Sequence, residues 1–268
     1  MTGDSVERLG RADLHLHTWA SDGTASVVEV LEHVEATGFL DIVAITDHER
    51  IDAAVAGRAI ALDRGMRAAV VVGEEITTRG GHLLGLFLER RVPPWKSLRW
   101  SIEAVHDQGG IAIPSHPFAP VHICAQGWAL RSLLSSDDPA VHPDAIETFN
   151  PTALGRWGHR ASVRFAREHG LAEVGNSDAH INIAIASAWS TFPGRTTDDL
   201  RAAIAAGATQ AHGEFHGSFG QLGVYRRQVA KYARDIAADT SGRIRRNGTG
   251  RDLGYPGGSD RPPRFRAG

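Results

Sequence analysis

Short apolar runs bearing β-branched residues alternate along the chain with longer amphipathic stretches. The short runs predict strands at Ala12–His17, Leu40–Thr46, Ala69–Thr77, His82–Leu88, Gly110–Pro114, Asp144–Phe149 and Ala172–Ser177. Between most of them the apolar positions recur at helical spacing, and several of these stretches end in glycine, at Gly38, Gly65, Gly109, Gly170 and Gly207. Glycine in that place is the usual left-handed helix stop. Ser26-x-x-Glu29 reads as a capping box that opens the first helix. Strand, helix, glycine, strand is the order of βα units that feed a parallel sheet. The segment Thr77-Thr78-Arg79-Gly80-Gly81 lies between two apolar runs and reads instead as a hairpin turn.

Polar residues gather where these strands end, at His17, Asp47, Glu75, His116, Asn150 and Asp178. A doubly wound sheet binds ligands at one switch point, whereas a barrel uses the whole rim formed by its strand C-termini. Polar ends on nearly every strand therefore favour an α/β chain closed into a ring. The predicted organisation is a barrel over 1–220, a C-terminal helix over 221–240 and a flexible Arg/Gly/Pro-rich tail over 241–268. The helix carries a basic face (Arg226, Arg227, Lys231, Arg234), and Arg243 to Gly268 holds seven Arg against two Asp. On composition the tail is solvated, with a nucleic-acid contact as the functional alternative.

An apolar fraction of 42% in 268 residues is enough for one sizeable core. A net charge of −2 gives no general attraction to nucleic acid or to an anionic membrane. Fourteen His against one Cys favours imidazole and carboxylate metal chemistry over thiolate chemistry. The single Cys124 has no internal disulfide partner, Met1 to Gly10 contains no apolar signal core, and no run reaches the ~18 apolar residues of a bilayer span. The expectation is a cytoplasmic protein without a membrane partner; oligomeric state is left open.

Five clusters carry potential metal ligands. The first is Asp13-Leu14-His15-Leu16-His17 with Asp22 nearby, where strand alternation would put Asp13, His15 and His17 on one face. The others are Thr46-Asp47-His48, Gly73-Glu74-Glu75-Ile76-Thr77 followed by His82, Ser115-His116-Pro117, and Asn176-Ser177-Asp178-Ala179-His180. Buried charges cost several kcal/mol each unless paired or metal-bound, so five such clusters at successive strand ends are poorly explained as core packing.

The pattern D-L-H-L-H-T…S-D-G, I-T-D-H, G-E-E-I-T, S-H-P, N-S-D-A-H, spanning about Ala12 to Phe192, resembles the PHP (polymerase and histidinol phosphatase) family. The resemblance implies a distorted (β/α)7 barrel with two or three divalent ions, Mn, Fe or Zn, and phosphoesterase chemistry. It implies that His15, His17, Glu75 and Asp178 hold one ion, Asp22, His48 and His180 a second, and Glu75, His82 and His116 a third. The family pattern selects Glu75 over Glu74. Asp178 and His180 are the candidates for catalytic proton transfer. Asp13 and Asp47 are expected to orient ligand histidines, and Thr46 a carboxylate. Asn150, Arg156 and Arg160 are the candidate substrate contacts, with Glu147 also facing the rim and Arg79 a further phosphate candidate. His212–His216 could form a barrel-closing strand. Cys124 reads as a small apolar residue, and His33, His106, His122, His142 and His169 as structural or solvated.

The expected activity is hydrolysis of a phosphate ester (a small phosphomonoester, a nucleotide or an oligonucleotide end) by a hydroxide shared between metals. One alternative is amidohydrolase-like C–N or C–O hydrolysis. It is disfavoured because the two lysines, Lys96 and Lys231, lie away from the rim. Another is a metal-binding, non-catalytic PHP module. The expected partner is a small phosphorylated substrate or nucleotide, with nucleic acid reached through the basic tail.

Overall fold

The computed structural model of the protein describes residues 9–215, so the C-terminal helix and tail expected from the sequence lie outside the described residues. The first half follows the predicted grammar: β1 (Leu9–Leu16), α1 (Val27–Thr37), β2 (Ile42–Ile45), α2 (Asp52–Asp63) and β3 (Ala69–Thr78). The Ser26–Glu29 capping box opens α1, and Gly38 closes it. The five glycines at predicted helix ends all adopt left-handed backbone, with φ between 58° and 71°. A tight turn then returns the chain as β4 (Gly81–Leu86), the predicted hairpin. There follow α3 (Leu98–His106), β5 (Ile111–Pro114), α4 (Gly127–Leu134), β6 (Ala145–Phe149), α5 (Ala153–His169), β7 (Ala172–Gly175), β8 (Ala188–Pro193), α6 (Thr197–Ala205) and β9 (Gln210–Gly213).

Seven strands form one sheet in the order β5-β4-β3-β2-β1-β8-β9, and β6 and β7 form a separate parallel pair. That pair is tied toward both ends of the larger sheet. The Asp144 N–H donates to the Ala112 carbonyl in β5, and the Gly175 N–H donates to Ser190 Oγ on β8. The parallel βα repeat holds for β1–α1–β2–α2–β3 and for β6–α5–β7. Elsewhere the neighbours are antiparallel, at β3–β4, β4–β5, β1–β8 and β8–β9, so the sheet is mixed rather than a uniform parallel ring. Strand β8 was not expected: its six residues alternate buried and half-buried, and pairing with β1 and β9 makes Ala-Trp-Ser-Thr-Phe-Pro a strand.

Successive residues of β2 enter different cores, Ile42 and Ala44 one, Val43 and Ile45 the other. The first core gathers side chains from β1 to β8 together with Leu200, Ala203 and Ile204 of α6, so the sheet is curled around it. The second packs the opposite face under α1 to α5. A register shift between Asp13 and Leu16 places a bulge in β1, and across it Leu14 and Leu16 fall into different cores. The single alternation predicted for Asp13, His15 and His17 is therefore broken, and Asp13 separates from the two histidines.

Candidate metal centre

The bulged end of β1 delivers His15 and His17, both buried. Glu75 comes from the middle of β3, which continues to Thr77, paired across the hairpin with His82. His48 follows β2 and bridges to Glu75. His116 follows β5, Asp178 and His180 follow β7, and Asp22 sits in the turn after β1. All nine metal-ligand candidates from the sequence converge on this one rim.

Glu75 is the hub. Its Oε2 lies 3.3 Å from His15 Nε2, 3.3 Å from His17 Nε2 and 3.4 Å from His48 Nε2. Its Oε1 lies 2.9 Å from His82 Nδ1 and 3.1 Å from His116 Nε2, and accepts from Ser115 Oγ. Asp178 Oδ1 lies 3.4 Å from His15 Nε2 and 3.3 Å from His17 Nε2. Asp22 Oδ2 lies 3.0 Å from His180 Nε2 and 3.8 Å from His48 Nε2. Three overlapping groups have ligand atoms within 4.8 Å of one another: His17, Asp22, His48 and His180; His15, His17 and Asp178; and His48, Glu75 and His82.

Three observations test whether these residues fit metal ions. The Nε2 atoms of His15 and His17 are fully buried and make no hydrogen bond, which costs about 1–3 kcal/mol each unless something coordinates them. Their separations from carboxylate oxygens, 3.3–3.4 Å, are long for hydrogen bonds. Two donors sharing one ion at about 2.0–2.2 Å lie about 3.1–3.5 Å apart, which is the spacing seen. The donor set is nitrogen and oxygen, suited to first-row divalent metals. The residues fit.

Electrostatics point the same way. Burial works against the charge of Glu75 and Asp178, but the surrounding imidazoles outweigh it and hold both well below the usual carboxylate range. Burial likewise opposes charging of His17, yet Asp22, Asp178 and Glu75 raise it to about 10. His48, where burial prevails, falls to about 4. Without a cation, protons on histidine balance the carboxylates.

Behind these residues stands Glu147. Its Oε1 accepts from His15 Nδ1 at 3.1 Å and from Asn176 Nδ2 at 2.8 Å, and its Oε2 accepts from the His116 N–H at 2.7 Å and Asn150 Nδ2 at 2.9 Å. The bond at Nδ1 fixes the His15 tautomer and leaves Nε2 facing Glu75 and Asp178. His116 and Asp178 themselves hold left-handed backbone, with φ of 29° and 51°, strain of the kind held at functional sites. Cys124, expected to be a bland apolar residue, places its Sγ 3.4 Å from His116 Nδ1.

The expected orienting roles of Asp13, Asp47 and Thr46 are corrected, and the remaining candidates are placed as follows. Asp13 accepts from the backbone N–H groups of Ser177 and Ala186, both at 3.0 Å, because the bulge turns it from the histidines. Asp47 accepts from Thr18 and Ser21 and so braces the turn that carries Asp22. Thr46 exchanges hydrogen bonds with the Leu16 backbone. Asn150 is buried, with Nδ2 shared between Glu147 and Asp178 Oδ2 at 3.2 Å, so its amide steadies a carboxylate. Arg156 lies over the Phe215 ring at 4.8 Å, Arg160 is exposed on α5, and Arg79 donates to the Trp95 carbonyl. His212 bonds Thr191 on β8, and His216 lies outside the described residues.

Fold and side chains together define the class: an α/β protein whose rim gathers imidazoles and carboxylates suited to more than one divalent cation. Residues 156–209 match the PHP-associated family PHP_C. An uncharacterized protein of Methanocaldococcus jannaschii is 36% identical over 122 residues, which cover 41% of this chain and 70% of that protein. The 5'-3' exoribonuclease of Haemophilus influenzae is 29% identical over 109 residues, 38% of this chain and 37% of that enzyme. The fold is shared with a two-domain protein from Bacteroides vulgatus containing a predicted PHP-like metal-dependent phosphoesterase, at a TM-score of 0.60 and 19% identity over 84% of this chain and 70% of that one. The chain belongs to the PHP family.

Proposed function

We propose that the protein is a metal-dependent phosphoesterase built on a distorted (β/α)7-type barrel. The observation that carries this reading is Glu75, whose two oxygens face two different sets of histidines. His15, His17, Asp178 and Glu75 Oε2 would hold one cation. Asp22, His48 and His180 would hold a second, with His17 within reach of both. Glu75 Oε1, His82 and His116 would hold a third. Bound Mn, Fe or Zn ions would act as Lewis acids on a phosphoryl oxygen and bring the pKa of a water toward ~7.

The chain's own residues then orient and move protons. Asn150 holds Asp178 Oδ2 and so aims Oδ1 at the His15–His17 side. There Asp178 can take up the proton of the attacking water. His180 Nδ1 donates to the Asp178 backbone carbonyl at 2.9 Å, which fixes its tautomer and leaves Nε2 toward Asp22 at 3.0 Å. The substrate class is a phosphate ester: a small phosphomonoester, a nucleotide or an oligonucleotide end. The name of the Haemophilus relative supports keeping the last of these.

The test is phosphate or nucleotide release by Mn-loaded protein over p-nitrophenyl phosphate, its bis ester, nucleoside bisphosphates and short oligonucleotides, with His15→Ala/His17→Ala alongside. Turnover that disappears in the double variant supports the reading. No turnover by protein shown to bind metal overturns it.

A further inference from the structure

Among the described helices, α5 is the one that repeats a single charge along its exposed face. Arg160, Arg164 and Arg167 follow Trp157 at spacings of three, seven and ten residues, and Arg156 adjoins them, so all five share one side. The opposite side, with Gly155, Gly158, Ser162, Phe165 and Ala166, is buried. Glu168 is the only acid in the helix. It stands 3.9 Å from Arg164, and Arg167 lies 3.5 Å from Glu173, yet both arginine side chains remain 74% exposed.

Helix α5 begins three residues after Asn150, whose amide holds Asp178 at the rim. A Cβ on Gly155 would run into Asn150, and one on Gly158 into the Pro117 carbonyl, next to His116. The buried side of the first turns of α5 is therefore pressed against the segment that carries a ligand, while Trp157 stands on the outer side with 72% of its surface exposed. Trp128, 73% exposed, opens α4, whose first residue packs on Phe118 of the same segment. Exposed tryptophans on two helices packed against the segment after His116, with arginines about 6 Å apart per four residues of helix, match a ligand with flat rings and regularly repeated phosphates.

We propose that the outer face of α5 is a track for single-stranded nucleic acid that leads a chain end to the metal centre, with Trp157 stacking on a base and Arg160 and Arg164 on successive phosphates. Stacking on an aromatic residue and contact with a positive groove are the two elements by which single strands are held without sequence preference. The assignment rests on the phosphoesterase reading for its purpose, but its binding step needs no turnover.

The experiment is fluorescence anisotropy with labelled 12-nucleotide single-stranded RNA and DNA, using the full chain in EDTA at several salt concentrations, with anionic phosphatidylserine vesicles as a separate arm. The expected result is salt-dependent oligonucleotide binding. Trp157→Ala should weaken it roughly tenfold, and Arg160→Glu/Arg164→Glu by more, with the salt slope reduced by about 1.4 for two phosphates. Circular dichroism confirms that the variants fold. Absence of oligonucleotide binding at low salt, variants that bind like the parent, or vesicle binding alone would each overturn the proposal. If small esters are hydrolysed while oligonucleotides do not bind, the phosphoesterase reading stands and the track fails. If oligonucleotides bind while no ester is hydrolysed, the reverse holds.

Discussion

Glu74 and Glu75 are adjacent, buried and opposite in fate. Glu75 is held ionised by the imidazoles around it, whereas Glu74 faces away, accepts one backbone N–H from Val92 and has its other oxygen unpartnered. Burial raises Glu74 to about 8, above its unfolded value, so its contribution to stability is full below pH 4.5 and is lost as pH rises toward 8. Glu74→Gln keeps the acceptor for Val92 and should raise stability at pH 7 by on the order of 3 kcal/mol. Tm measured from pH 5 to 8 should fall for the parent and stay flatter for the variant; parallel curves would contradict this. Glu147→Gln weakens the hold on His15 Nδ1, and metal affinity by titration should drop roughly 10–100-fold. Most of the candidate ligands were legible in the sequence as His, Asp or Glu near the ends of apolar runs, and the family pattern picked Glu75 over Glu74. Which residue orients which ligand was not. Glu147 meets His15 from 132 residues away, and Asp13 looked like a partner only because the bulge in β1 has no local signature.

At the scale of elements, α5 is seated by two glycines where backbone meets backbone. A Cβ at Gly158 would stand 1.9 Å from the Pro117 carbonyl oxygen, and neither side is a flexible side chain that could yield. Gly158→Ala should therefore cost about 2 kcal/mol or more and disturb His116, the residue before Pro117. Denaturant unfolding measures the first effect and metal content the second; a variant as stable as the parent would mean that α5 can shift freely. The βα units of the first half were readable from periodicity, caps and terminal glycines. Strand β8 was not, since its half-polar sequence becomes a strand through pairing with β9 and with β1, which is distant in sequence.

At the scale of the molecule, the rim concentrates Asp22, Glu75 and Asp178 among His15, His17, His48, His82, His116 and His180. In the metal-free protein, protonated histidines balance these carboxylates, with His17 raised to about 10, so metal uptake at neutral pH should release protons. Calorimetry in buffers of different ionisation enthalpy would show this as a buffer-dependent heat; a buffer-independent heat would contradict it. Saturation at 100 times the Kd should stabilise the chain by about 2.7 kcal/mol per site, seen as a Tm rise of roughly 5–10 °C per site. The curl of the sheet was inferable from polar residues at nearly every strand end. Beyond the β3–β4 hairpin, the mixed strand directions were not, because antiparallel returns through α3 and β8 leave no mark in hydrophobic pattern.

The most direct measurement is metal content per chain together with phosphate-ester turnover for the parent and Glu75→Ala. With Glu75 shared between two sets of histidines, the parent should hold at least two divalent ions, and the variant should lose more than one of them along with its turnover. A variant that keeps its metal content and its rate would contradict the assignment of Glu75 as the bridging ligand and the metal-dependent chemistry built on it.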